Sequence, residues 1–120
     1  MLKLLNFESK IAKANGESDL AAEILMEIIK RDLLNGSALI ELANYYAEKN
    51  LMEEAVLRYE QAQKIRKFER KALIAHAQSL VINRDYDEAV PLLNRALRIE
   101  SDKNLKEYAE RVERYAARGL

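Results

Sequence analysis

Few residues in this 120-residue chain could carry out chemistry, and the first of them is the only histidine, His76. With one histidine and no cysteine, the chain can form neither a pair of histidine ligands nor a thiolate site. A histidine that acts as a general base needs a nucleophile within reach, and none is indicated near His76. Because Ala75 and Ala77 flank it, we expect His76 to lie in the core or at the edge of a binding surface, with a hydrogen-bond partner.

The acidic clusters are the second candidates for chemistry, and their positions indicate helix starts instead. Glu53 and Glu54, and the acids within residues 85–88, fall where helices should begin, and the helix dipole favours carboxylates there. The three glycines are scattered, so the chain has no glycine-rich loop that could hold a phosphate. The sequence therefore predicts a protein that is not an enzyme, with no catalytic residues, no metal and no cofactor.

One basic run, residues 64–71, holds five lysine and arginine residues against one glutamate. We favour a solvated turn here, and the functional alternative is a contact for an acidic segment of a partner protein. Nucleic acid is disfavoured, because twenty basic residues balance twenty acidic ones and no matching basic surface is evident elsewhere. We therefore expect no nucleic-acid partner.

The elements that must position these residues are helices, because apolar residues recur in steps of three and four. Short polar breaks separate seven predicted helices, at about 2–14, 18–33, 37–49, 52–66, 70–83, 86–99 and 102–117. Asp85 followed by Glu88 has the pattern of a capping box, and Asn50 followed by Glu53 is a looser version. A hydrophobic fraction of 49% is enough to form a core, and the length fits a single all-α domain over residues 1–120.

The apolar stretches are too short and too interrupted by charges for a membrane protein. None approaches the roughly 20 apolar residues of a membrane span. Near the N-terminus, no apolar run of the kind found in signal peptides follows the first lysine. We expect a cytoplasmic protein without a membrane partner.

The sequence also repeats itself with a period of 34 residues. Small residues at some of the repeated positions allow two helices of one unit to approach closely, and large residues fill the remaining space. A single helix pair cannot bury both of its faces, so each pair must stack on the next. The equivalent positions are Leu5, Leu39 and Leu73; Ser9, Ala43 and Ala77; Ala12, Tyr46 and Leu80; Gly16, Asn50 and Arg84; Ala21, Ala55 and Ala89; Leu25, Tyr59 and Leu93; and Ile28, Ala62 and Ala96.

This helix–turn–helix unit resembles the tetratricopeptide repeat family. The middle unit matches the large, small and aromatic positions of that family best, with Leu39, Leu42, Ala43, Tyr46, Ala55, Tyr59 and Ala62. The resemblance implies three repeats, at about 2–35, 36–69 and 70–101, in a right-handed superhelix of antiparallel helix hairpins, an α-solenoid. The helix at 102–117 resembles the capping helix of such arrays, with an apolar stripe formed by Leu105, Tyr108, Ala109, Val112, Tyr115 and Ala116.

In proteins that this chain resembles, the first helices of the units line a concave groove that holds an extended peptide or a helix of a partner. The resemblance therefore implies a non-catalytic protein–protein interaction module or adaptor. The side chains expected to line the groove are Lys3, Asn6, Lys10, Lys13, Ile40, Asn44, Glu48, Lys71, Ile74, Gln78 and Val81, with Ser37, Ala47 and Ile82 beside them.

The groove residues suggest the chemistry of a partner. The amides of Asn44 and Gln78 could pair with a peptide backbone, and the lysines would favour an acidic segment of the partner. Ile40, Ile74 and Val81 could receive an apolar side chain. For Ile74, Val81 and Ile82 the alternative is packing beneath the final helix.

The first helix supports an alternative function. Leu4, Phe7 and Ile11 form one apolar stripe on it, while Leu5 and Ala12 form a second. A helix that is apolar on two sides needs a neighbour, which could be a second copy of the chain or a further unit of a larger array. The alternative is therefore a scaffold that self-associates or belongs to a larger array, and we expect a monomer or a weak homo-oligomer.

Overall fold

The computed structural model describes residues 2–119, which form seven α-helices and one short 3₁₀ helix with no strand among them. Met1 and Leu120, which the prediction of a domain over 1–120 includes, lie outside the described residues. The helices are α1 (Leu2–Ala14), α2 (Ser18–Arg31), α3 (Gly36–Glu48), α4 (Met52–Gln63), α5 (Glu69–Ile82), α6 (Tyr86–Ile99) and α7 (Lys103–Arg118), with the 3₁₀ helix at Arg66–Phe68. The all-α prediction with about seven helices is confirmed.

The helices pack in chain order. Each α-helix contacts the next one along the chain, and α3 also contacts α5. The pairs α1–α2, α3–α4 and α5–α6 make the three units, and α7 packs on α6. The described residues extend 46 × 27 × 23 Å, and their radius of gyration of 15.0 Å exceeds the roughly 14 Å expected for a compact domain of this length. This elongated packing is consistent with a helical repeat.

The three turns within the units have the same backbone geometry. Gly16, Asn50 and Arg84 adopt positive φ angles of 78°, 62° and 64°, respectively. The residue after each of them closes the turn by donating its N–H to a carbonyl five residues back, as in a Schellman motif. These hydrogen bonds measure 2.8 Å in all three units: Glu17 N to Ala12 O, Leu51 N to Tyr46 O and Asp85 N to Leu80 O. The backbone therefore repeats with the same period of 34 residues as the sequence.

The side-chain caps predicted at Asp85 and Asn50 are wrong. Asp85 precedes α6 with ψ of 60°, rather than the extended value typical of a capping residue, and its side chain caps no backbone N–H. Asn50 supplies the left-handed residue that ends α3, and Leu51 takes the position before α4. Side-chain caps occur between units instead, where Asn35 accepts from Ala38 N at 3.1 Å and Asp102 accepts from Leu105 N at 2.8 Å.

The core runs through all three units and beneath the last helix. The largest fully buried side chains are Tyr59, Ile28, Leu42, Leu73, Leu93 and Val112. Ala55 and Ala89 are completely buried where the two helices of their units meet, which agrees with the predicted close approach. At the C-terminal end, α7 buries Leu105, Ala109 and Val112 against the third unit, as its apolar stripe predicts.

The basic run at 64–71 folds as an ordered connection between α4 and α5. Arg66–Phe68 form the 3₁₀ helix, and α4 therefore ends at Gln63 rather than at 66. The ring of Phe68 packs over Gly36 at the start of α3, where a Cβ atom would clash with it. The segment is therefore a turn between units that contacts the start of α3 through Phe68.

Candidate binding surface

Three neighbouring cavities lie along α1, α3 and α5, the first helices of the three units. The first, of about 50 Å³, is lined by Lys10, Lys13, Glu41, Asn44 and Glu48 together with residues of α2. The second, of about 250 Å³, is lined by Lys13, Asn44, Ala47, Glu48, Tyr59, Ala75, Gln78, Ser79 and Ile82. The third, of about 320 Å³, is lined by Ser37, Ile40, Glu41, Lys71, Ile74, Ala75 and Gln78.

The cavities share lining residues and so form one surface. Asn44 lines the first and second cavities, and Gln78 lines the second and third. We call the residues that line the three cavities the α1–α3–α5 surface. The predicted groove residues that it brings together are Lys10, Lys13, Ile40, Asn44, Glu48, Lys71, Ile74 and Gln78.

The other predicted groove residues lie to its sides. Lys3 and Asn6 are exposed on the first half of α1 and line none of these three cavities. Val81 is half-buried and packs against the C-terminal core cluster, as does Ile74. Ile82, in contrast, is 82% exposed and lines the second cavity.

Asn44 is held by a hydrogen bond from the core. The hydroxyl of Tyr59 donates to Asn44 Oδ1 at 2.6 Å, and Tyr59 is completely buried. Burial raises the pKa of Tyr59, so its hydroxyl keeps its proton and remains a donor at neutral pH. With its oxygen engaged, Asn44 can offer the N–H groups of Nδ2 to a ligand. Sequence reasoning missed this bond, which joins residues 15 positions apart on two different helices.

The side chain of His76 packs against the ring of Tyr59. The two rings stack with centroids 5.1 Å apart and an interplanar angle of 11°. His76 is buried, and its Nδ1 lies 3.1 Å from Gln63 Nε2, so the amide donates to a neutral ring. Burial lowers the pKa of His76, which keeps the ring neutral at pH 7. The expected histidine with a hydrogen-bond partner is confirmed, and it lies in the core, stacked on Tyr59.

Both signs of charge meet on the α1–α3–α5 surface. Lys10 and Lys13 line the first cavity together with Glu41 and Glu48. Glu41 also lines the third cavity, where Lys71 contributes the basic group. Glu41 is thus the acidic residue that the first and third cavities share. The surface therefore carries both acidic and basic side chains.

A separate apolar surface lies on α1. Leu4, Phe7 and Ile11 are 62%, 63% and 59% exposed, respectively. On the opposite side of the same helix, Ala12 is buried and Leu5 packs against the core. We call Leu4, Phe7 and Ile11 the α1 outer stripe, and it is the surface that sequence reasoning proposed for assembly.

Residues 2–119 contain no group of three or more histidine, aspartate or glutamate side chains placed to hold a metal ion. None of their helices combines the length and the apolar character needed to cross a membrane.

No protein-family model matches the sequence, and no curated protein matches it either.

Proposed function

We propose that this chain is a non-catalytic interaction module that holds a peptide or a helix of a partner protein on the α1–α3–α5 surface. The observation that carries the proposal is the continuity of three cavities across all three units, through the shared residues Asn44 and Gln78. The resemblance to tetratricopeptide repeats supports it, because a right-handed superhelix of these hairpins would make this surface concave. The repeated turn geometry agrees with that architecture.

The surface suits an extended segment that binds mainly through its backbone. Asn44 Nδ2 and the amide of Gln78 can donate to successive peptide carbonyls, which is recognition that tolerates many sequences. Ile40 and Ile74 line the third cavity and can receive one apolar side chain. Since the described chain is 46 Å long, a fully extended segment that runs its whole length contains about 13 residues.

Charge would set the orientation of the ligand. Acidic side chains of the segment would lie near Lys10 and Lys13 at the first cavity or near Lys71 at the third. Glu41 and Glu48 would repel a segment that is acidic throughout. We therefore expect ligands in which acidic residues are interrupted by polar or apolar ones.

The test uses peptides selected from a random display library on the wild-type chain, with affinities measured by calorimetry. The variant Gln78→Ala should weaken binding about two- to tenfold, the effect of one lost hydrogen bond. Gln61→Ala is the matched control, because Gln61 is an exposed amide on α4, away from the cavities. If the selected peptides bind Gln78→Ala as tightly as the wild type, the proposal fails.

Asn44 requires a second control because it also accepts a hydrogen bond from the buried Tyr59. The variant Asn44→Ala leaves the buried Tyr59 hydroxyl without its acceptor, which costs about 1–3 kcal/mol of stability. Tyr59→Phe removes the same hydrogen bond from the buried side and keeps the Asn44 amide at the surface. A role in binding predicts that Asn44→Ala weakens the peptides far more than Tyr59→Phe does.

A second candidate function is supported by the exposure of the α1 outer stripe. In this role the chain is a scaffold, and Leu4, Phe7 and Ile11 join it to another helical element. The sequence suggests two forms of this role, self-association and membership of a larger array. Light scattering tests the first form, since self-association predicts a mass that rises with concentration.

A further inference from the structure

The first and second cavities lie at equivalent positions of the repeat. A shift of 34 residues, the period of the sequence, carries most of the lining of the first cavity onto the lining of the second. Asn44 of the first cavity corresponds to Gln78 of the second, and Leu25 corresponds to Tyr59. The two cavities are therefore one kind of site that occurs twice, and the side chains that differ between them set what each can receive.

Smaller side chains make the second cavity the larger of the two. Its volume is about 250 Å³, against about 50 Å³ for the first. The second cavity has Ser79 where the first has Tyr45, and Ala47 where the first has Lys13. The hydroxyl of Tyr45 donates to Asp19 at 2.6 Å, which holds this ring in place. Because an apolar cavity of about 150 Å³ is enough for benzene, the second cavity has room for a large side chain and the first does not.

The second cavity is also less charged than the first. Two lysines and two glutamates line the first cavity. On α5, Ala75 and Ile82 take the positions that Glu41 and Glu48 have on α3, so the α5 side of the second cavity is uncharged. Ile82 is 82% exposed and can therefore contact a ligand directly. This side of the second cavity suits an apolar group.

The hydroxyl groups of the second cavity are already hydrogen bonded within the chain. Tyr59 donates to Asn44 Oδ1 at 2.6 Å, and Ser79 donates to the carbonyl of His76 at 2.7 Å. An apolar side chain that covers them therefore leaves no hydroxyl donor without a partner, and its burial is favourable. The amides of Asn44 and Gln78 line the same cavity from α3 and α5, where they can hold the backbone of the ligand.

The lysines and the glutamates of the first cavity differ in spacing. Lys10 and Lys13 are three residues apart on α1, so their Cβ atoms are about 5–6 Å apart and both ammonium groups can approach one carboxylate. Glu41 and Glu48 are about 10.5 Å apart along α3, so a single basic residue of a ligand meets only one of them. Within residues 2–119, none of these four side chains forms an ion pair. The third cavity has Lys71 without a second basic residue.

We propose that the ligand of the α1–α3–α5 surface is an extended segment with an acidic residue over the first cavity and a large apolar residue in the second. This inference rests on the proposed function and decides between the first and third cavities, which that function leaves open for an acidic side chain. The carboxylate lies between Lys10 and Lys13, and the apolar side chain lies against Ile82.

The repeat also sets the spacing of the two ligand residues. Because α3 contacts α5, their axes are about 8–10 Å apart. An extended segment crosses this distance in about three residues. The acidic and apolar residues of the ligand are therefore about three positions apart.

The test uses peptides selected on the wild-type chain from a random display library and synthesised with amidated C-termini, so that their only carboxylates are side chains. Replacing the large apolar residue with alanine should weaken binding at least about tenfold, and replacing the acidic residue with its amide about three- to tenfold. Calorimetry measures the affinities. Peptides that lack this pair of residues, that keep their affinity after both replacements, or that become helical on binding by circular dichroism would overturn the inference.

The variant Ile82→Ser locates the apolar residue. It should weaken the selected peptide about three- to tenfold and have little effect on the alanine-substituted peptide, because the two side chains interact. Ile99→Ser is the matched control, since Ile99 also ends its helix and is 47% exposed. Equal losses for the two peptides in Ile82→Ser would place the apolar residue outside the second cavity and overturn the inference.

The variants Lys10→Ala and Lys71→Ala locate the acidic residue. Both lysines are exposed, so both variants should fold normally by circular dichroism. Lys10→Ala should weaken the peptide about two- to fivefold, and Lys71→Ala less than twofold. A larger loss in Lys71→Ala would place the acidic residue at the third cavity and contradict the inference.

The variant Gln78→Ala separates this inference from the proposed function. If Gln78→Ala weakens the peptides while Ile82→Ser and Lys10→Ala do not, the binding surface stands and only the assignment of ligand residues is wrong. If none of the three variants weakens the peptides, they bind elsewhere, and both the proposed function and the inference fail.

Discussion

The first helix of this chain exposes Leu4, Phe7 and Ile11, whereas the last helix buries its apolar residues and exposes charged ones. Both helices occupy the same kind of position, because α1, α3, α5 and α7 are spaced as the first helices of successive units. On α7, Leu105, Ala109 and Val112 are covered by the third unit, and Glu110 and Arg111 face outward.

The outer faces of the two terminal helices therefore differ in polarity. A polar outer face on a terminal helix closes a stack of repeats and keeps it soluble. On α1, in contrast, three large apolar side chains face outward. Comparing equivalent positions of the units therefore distinguishes residues that pack within the chain from residues that are left exposed at its end.

The largest expected effect comes from comparing the truncation of a buried leucine on α7 with the truncation of an exposed aromatic residue on α1. Leu105→Ala should lower the free energy of unfolding by about 2–4 kcal/mol, because it leaves a cavity beneath α7. Phe7→Ala should change it by no more than about 0.5 kcal/mol, because Phe7 packs little within the chain. Urea unfolding followed by circular dichroism measures both. Similar losses in the two variants would mean that the stripe on α1 is covered in solution.

The next largest effect comes from exchanging the side chains of two equivalent positions, one between α2 and α3 and one on the exposed face of α1. Ala38→Leu should destabilise the chain by about 1–3 kcal/mol, because Ala38 is buried against large residues of α2. Leu4→Ala, the reverse change at the equivalent position, should be nearly neutral. Thermal unfolding of the two variants gives the comparison. A neutral Ala38→Leu would contradict the close packing of α2 on α3 around Ala38.

A smaller effect concerns the turns, which are alike in the first and third units. Gly16→Ala should cost about 1 kcal/mol, because the φ of 78° strains any residue with a Cβ atom although nothing lies within 4 Å of it. Arg84→Gly should stabilise the third unit by up to about 1 kcal/mol, since Arg84 already bears that strain at φ 64°. Urea titrations would measure both changes, and the same sign for both would show that the turns are not equivalent.

The smallest expected effect is the pH dependence of stability that arises from Asp102 at the start of α7. The N–H of Leu105 and the guanidinium of Arg70 both donate to Asp102 and hold the pKa of its carboxyl below the ordinary value of 3.8. A carboxyl with a lowered pKa in the folded state stabilises the fold above its unfolded pKa, and this contribution is lost as the pH falls through that range. Exposed ion pairs contribute little, so the effect is small and decreases with salt.

The variant Asp102→Asn tests this, because asparagine keeps the cap on α7 and loses the charge that faces Arg70. Wild type should be the more stable of the two at pH 7, and the difference should narrow as the pH falls below 3.8. Unfolding curves at a series of pH values measure it. A difference that does not narrow with falling pH would assign the effect to the cap and not to the charge.

Much of the fold could be predicted from the sequence, because helix packing leaves a periodic trace in the chain. Apolar steps of three and four residues marked all seven helices, and the period of 34 residues aligned the turns at Gly16, Asn50 and Arg84. The stripe on α1 was also visible, since it needs only the spacing of Leu4 and Phe7.

The sequence could not predict features that depend on how helices cross or on backbone torsions. The hydrogen bond from Tyr59 to Asn44 requires α3 and α4 to meet at one point, and no spacing rule encodes it. The place of Glu41 between two cavities depends on how α1, α3 and α5 are arranged. The cap predicted at Asp85 was wrong because the Schellman bond to Leu80 sets its backbone torsions.

The most direct test of the proposed binding function is a nuclear magnetic resonance titration of the labelled chain with a library-selected peptide. The largest shift changes are predicted at the side-chain amides of Asn44 and Gln78 and at the backbone of α1, α3 and α5. Exposed residues of α4 and α6 should remain unchanged. Shift changes confined to α2, α4 and α6, with Asn44 and Gln78 unaffected, would contradict the assignment of binding to the α1–α3–α5 surface.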